Sequence, residues 1–155
     1  MYNSQKTIWF EGSNEIDCNI ESVEHSLNNL GQYFVGIISH MPSMTKVELV
    51  EEGDDFVTIQ TNEGLMKRTN ISKKVEGERI VVEFDEEYQA GKAITTHSHF
   101  LNEFEVSENV VSLRITISNL KAPGFMGFFY RNFGSSSMGK AFLNAHKSCL
   151  EKEFI

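Results

Sequence analysis

His97, His99 and Glu103 are the residues of this chain best spaced for metal chemistry. Side chains two apart in a strand point the same way, so these three share one face and could converge on a divalent cation. Their neighbours argue for something else. Thr96, Ser98, Phe100, Asn102 and Phe104 lie on the opposite face. If the Phe-bearing face turns inward, both imidazoles face solvent, and no bound metal is expected there. The inward face then has its own chemistry. A few hydroxyls and an amide within an aromatic wall orient a bound molecule rather than attack it.

Few other residues offer chemistry. Arg131 could grip a carboxylate with its guanidinium fork, although an exposed helical Arg is the commoner case. His146 is a candidate for moving a proton, as is a hydroxyl such as Ser98. Cys149 falls on an apolar helical stripe, where a thiol is normally inert. Ser135, Ser136 and Ser137 have no glycine elbow around them. Lys67, Arg68, Lys73 and Lys74 read as a solvated strand edge. The acidic pairs Glu51-Glu52, Asp54-Asp55 and Glu86-Glu87 read as solvated surface in or near turns, without the geometry of a paired-carboxylate hydrolase.

These residues need elements to position them. Thr7 to Glu11 alternates as a strand, with Gly12-Ser13-Asn14 as its end or a bulge. Ile20, Val23, Leu27, Leu30 and Phe34 recur at three and four, which is the stripe of an amphipathic helix capped by Asn19. Gly31 is the expected break before a second short helix that reaches about His40, and Pro42 stops it. From Met44 the period falls to two. Strands are expected at 45–51, 55–62, 65–74, 78–88, 93–106 and 110–120, with turn residues between them. Such short connections make antiparallel neighbours. Ile80, Val82 and Phe84 mark one greasy face, and Val111, Leu113, Ile115 and Ile117 another. After Ala122-Pro123-Gly124 comes an aromatic run with Phe125, Phe128, Phe129 and Phe133. A terminal helix follows, with Met138, Phe142, Ala145 and Cys149 in one stripe. A stripe this apolar must lie on something, and the open face of the sheet is the natural partner.

Composition narrows the function. The 155 residues suit a single domain spanning 1–155. Twelve of the seventeen aromatics are Phe, which has no polar handle, so a large dry interior or a greasy pocket is expected. A net charge of −8 disfavours nucleic acid and anionic membrane surfaces. No apolar run approaches the roughly 20 residues that span a bilayer, so no membrane insertion is expected. The start of the chain lacks the pattern of a signal peptide. Cys18 and Cys149 read as reduced thiols of a cytoplasmic protein.

The order of strand, two short helices, six strands and long helix resembles the START-like, or helix-grip, superfamily. That group includes birch-pollen-allergen-like and polyketide cyclase/dehydrase-related small proteins. Three stretches carry the likeness: Ile16 to Val23, Pro42 to Glu48, and Leu120 to Phe125. The resemblance implies an α+β fold. A curved antiparallel sheet of about seven strands would be gripped by the C-terminal helix, over a cavity that takes lipid- or polyketide-like molecules. Phe84, Thr96, Ser98, Phe100, Asn102, Phe104, Phe129, Phe133, Phe142 and His146 would line it. Binding or transport of a hydrophobic or amphipathic small molecule is the expected function, with no cofactor. A cyclase-like enzyme using the same cavity is the alternative. A third reading is a cupin-like metal enzyme through His97, His99 and Glu103. Gly91 supports it, but the second half of the cupin motif is absent.

Overall fold

The computed structural model describes residues 7–90, 94–122 and 135–152. Strand β1 (Ile8–Ile16) leads into helices α1 (Ile20–Ser26) and α2 (Leu30–Ser39). Six strands follow: β2 (Val47–Glu52), β3 (Val57–Thr61), β4 (Leu65–Glu76), β5 (Arg79–Ala90), β6 (Ile94–Ser107) and β7 (Val110–Lys121). Helix α3 (Ser135–Lys152) closes the described chain. The seven strands form one antiparallel sheet in the order β1-β7-β6-β5-β4-β3-β2. The strands from β2 to β7 pair with their sequence neighbours, as short turns require, and β1 returns to pair with β7. No helix among the described residues is long and apolar enough to cross a membrane.

Two expected boundaries move. β1 does not stop at Gly12 but continues to Ile16, in register with β7. A Cβ on Gly12 would come within 2.8 Å of the Phe10 ring, and one on Gly139 of α3 would run into the same ring. The two glycines thus make room for Phe10 at the contact between β1 and α3. The helix break also falls earlier than Gly31. Asn29 caps α2 by accepting from the Gln32 amide, and Gly31 sits inside the first turn of α2. A Cβ there would strike Glu52 and Leu49 of β2, so Gly31 permits close packing and does not break the helix.

Asn19 caps α1 as its sequence position implies. Its side chain accepts from the Ser22 amide at 3.0 Å and from the Ser22 hydroxyl at 2.8 Å. Asn19→Ala should therefore cost about 1 kcal/mol in urea unfolding. A change below a few tenths would show that the cap contributes nothing.

The inward faces of β5, β6 and β7 follow the predicted alternation. Ile80, Val82, Phe84, Phe100, Phe104, Val111, Leu113, Ile115 and Ile117 are all buried. α3 lies along β1 and beside α2. Asn14 donates to the Leu143 carbonyl, Lys147 donates to the Glu15 carbonyl, and the Asp17 amide donates to Glu151. The helix turns Phe142, Leu143, Ala145, His146 and Leu150 toward the core.

Candidate functional site

The centre of the space under α3 is not empty. It holds Arg68, which is 2% exposed. Its guanidinium lies 4.8 Å from the Phe34 ring centre, 4.6 Å from Phe84, 5.4 Å from Phe100 and 6.0 Å from Phe142. Arg68 Nε and Nη2 both donate to Oε2 of Glu86, at 3.0 and 2.8 Å. The cation is thus neutralised by one carboxylate and boxed by four rings. A planar guanidinium suits both roles, and each desolvated ring contact is worth up to about 2 kcal/mol. This corrects two expectations. Arg68 is not part of a solvated edge, because β4 lies inside the sheet. Glu86 is not surface, because it sits in β5 directly across from Arg68 and is buried. Lys67, Lys73 and Lys74 are exposed as expected.

A cavity of about 240 Å³ opens beside this pair, between the end of α2, strands β4 and β5, and the first half of α3. Ile38, Met41, Pro42, Met44 and Met66 form one apolar side, and Met138, Ala141 and Phe142 form the other. All four methionines among the described residues meet here. Unbranched thioether chains adapt to irregular shapes, so the wall can mould itself to a guest. Among the described residues, the polar lining is Ser43, Glu63, Glu86, Tyr88 and Ser137. Tyr88 donates its phenol to Glu63 at 2.6 Å and lies 3.1 Å from the Thr61 hydroxyl. Burial, then the Glu63 carboxylate, pushes that phenol well above its ordinary range. Larger grooves exist, including one of about 640 Å³ between the α1–α2 junction and β2–β4. That groove is an open surface bordered by Asn28, Asn29, Glu52, Asp54 and Lys73, and it could not keep an apolar guest from water.

The sequence-derived site residues divide. Phe84, Thr96, Phe100, Asn102, Phe104, Phe142 and His146 are buried. Of these, Phe142 alone borders the cavity; Phe84 and Phe100 wall the arginine box. Ser98 is half-buried and borders a groove on the outer face. Phe129 and Phe133, with Phe125, Phe128 and Arg131, lie outside the described residues. His146 donates from Nδ1 to the Phe142 carbonyl at 2.7 Å, and its ring packs 6.2 Å from Tyr33 and 6.3 Å from Phe104. The Tyr33 hydroxyl and Asn102 Oδ1 are sealed from solvent with no hydrogen-bond partner among the described residues. Cys18 is no nucleophile at neutral pH, since burial, then Glu151 and Asp17, pushes its thiol up to about 11. Sequence reasoning missed Arg68, Glu86, Tyr88 and the methionines.

His97, His99 and Glu103 lie on the outer face, and the sheet is not a jelly roll, which overturns the cupin-like reading. Glu103 pairs with Arg79 at 2.6 Å. His99 is clamped between Glu83 at 2.6 Å and Asp85 at 2.8 Å. Among the described residues, no group of three or more His, Cys, Asp or Glu is placed to hold a metal.

The two histidines should move stability in opposite ways. Burial pushes His146 down to about 4. Between about pH 6.5 and that value the unfolded chain takes a proton that the folded one refuses, so acid destabilises across this window. For His99, burial opposes the charged form, but the bonds to Asp85 and Glu83 prevail and raise its pKa. Its contribution is complete below about pH 6.5 and is lost as pH climbs through the raised value. The stability gap between wild type and His99→Gln should therefore be widest near about pH 6 and narrow toward about pH 9. A gap constant with pH in urea unfolding would rule this out.

No protein-family model matches the chain, and no curated protein matches it. Solved structures do. A conserved protein from Geobacillus kaustophilus superposes with a TM-score of 0.63 at 12% identity, covering 92% of this chain and 95% of its own. The ZhuI aromatase/cyclase from Streptomyces sp. R1128 gives 0.55 at 15% identity, covering 97% of each. A STAR-related lipid transfer protein from Xanthomonas axonopodis gives 0.55 at 13%, covering 90% and 84%. At these identities the likeness is one of fold. The chain shares the helix-grip fold of these structures.

Proposed function

We propose that this protein binds, and holds or delivers, one hydrophobic or amphipathic small molecule in the cavity beneath α3. The observation that carries this reading is the methionine- and aromatic-walled space of about 240 Å³ with its polar groups at one side. An apolar cavity of about 150 Å³ already accepts benzene, so this one suits a small aromatic or short-chain molecule better than a two-tailed lipid. The fold supports the reading, because one structural neighbour is named as a lipid transfer protein and another as an aromatase/cyclase. Binding is favoured over cyclase-type catalysis by the state of the titratable groups. Glu86 is occupied by Arg68, the Tyr88 phenol is committed to Glu63, and neutral His146 does not border the cavity.

Nile red titration tests the reading. The dye should bind at one site per chain and be displaced by small aromatics such as indole or naphthalene. Native mass spectrometry of protein from its own host should show one co-purified small molecule. Dye that fails to bind, or that indole and naphthalene leave in place, would sink the proposal.

A further inference from the structure

The cavity is apolar on most sides, but its charged lining is of one sign. Among the described residues, Glu63 and Glu86 border it and no Lys or Arg does. Arg68 stands behind Glu86 and pairs with it at 2.8 Å. Both Arg68 donors go to a single oxygen, Oε2. Oε1 has no hydrogen-bond partner among the described residues, and it is not among the buried atoms left unpaired there, which are Asn14 Oδ1, the Tyr33 hydroxyl and Asn102 Oδ1. Since Glu86 lines the cavity and is otherwise buried, Oε1 is the atom it presents to a guest.

A carboxylate oxygen paired to a guanidinium through its neighbour is an acceptor for a guest. We infer that the ligand is a small apolar molecule carrying a hydrogen-bond donor, an ammonium or a hydroxyl, whose proton Glu86 Oε1 accepts while Arg68 occupies Oε2. This rests on the cavity being the binding site. An ammonium is preferred over a hydroxyl. Glu63 adds a second carboxylate at the rim with no cation beside it among the described lining residues, and the chain carries a net charge of −8. A carboxylate head would place like charges together with no donor to separate them. The arginine selects for donors although it never touches the guest.

Four probes with one ring and nearly the same length test this: 2-phenylethylamine, 2-phenylethanol, ethylbenzene and phenylacetate, by calorimetry or Nile red displacement. The amine should bind about tenfold or more tighter than ethylbenzene, as a charge-assisted hydrogen bond allows, with the alcohol between them and phenylacetate weakest. In R68M/E86L, which replaces the pair by apolar side chains of similar volume and so is expected to fold, amine and alcohol should lose that advantage and ethylbenzene should not weaken. Equal affinities across the four in wild type, or phenylacetate binding best, would overturn the inference and leave the binding cavity standing. A preference that survives in R68M/E86L would also overturn it. If no probe binds and Nile red is not taken up either, both the inference and the proposed function fail.

Discussion

Arg68→Met should be among the most damaging single substitutions in this protein, costing roughly 3–5 kcal/mol, while R68M/E86L should unfold within about 1 kcal/mol of wild type or later. The reasoning starts from burial. Arg68 and Glu86 are both nearly inaccessible, and each is the other's hydrogen-bonded counter-charge. Removing the cation leaves a carboxylate among Phe rings with no compensation. Removing both leaves an apolar core that costs nothing to desolvate. Urea unfolding of Arg68→Met, Glu86→Leu and R68M/E86L checks this. A double variant no better than Arg68→Met would mean that the pair stabilises the core outright.

The same pair shows where the sequence was legible and where it was not. The strands could be read because β5, β6 and β7 alternate for 12, 14 and 12 residues with Val, Ile, Leu and Phe inward. β4 could not be read this way. Met66 and Arg68 face inward, then Asn70 takes a positive φ of 54° in a bulge, and the next inward residue is Ile71. One bulge shifts the phase of a period-two pattern, so Arg68 looked like one more basic residue on a charged strand. Glu86 had a usable signal. Ile80, Val82 and Phe84 set the inward parity of β5, and Glu86 and Tyr88 continue it. An acid on the inward parity, opposite an Arg one strand away, is the pattern of a buried pair. The methionines are less transparent. Met41, Met44, Met66 and Met138 come from three separate stretches of chain, and only the packing of α2, β4 and α3 brings them together. Gly31 misled for a related reason, since its role is set by Glu52 and Leu49 across the fold and not by its neighbours in sequence.

Ala141→Phe should abolish most binding while leaving the fold intact, and it is the sharpest functional test of the cavity. Ala141 lies on α3, half-buried, with its methyl group at the cavity wall. A Phe ring there would project toward the same space as Met41, Met66 and Tyr88. Filling an existing apolar void gains contact without evicting packed neighbours, so stability should hold or rise, unlike an insertion into a close-packed core. The methionines can yield around the ring because each has three rotatable bonds. Nile red affinity should fall by about a hundredfold, equivalent to losing roughly 3 kcal/mol of guest burial. Lys73→Ala serves as the control, because Lys73 borders the larger open groove and not the cavity. If Lys73→Ala weakens the dye and Ala141→Phe does not, the guest sits in the groove outside α1 and α2, and the space under α3 is merely imperfect packing.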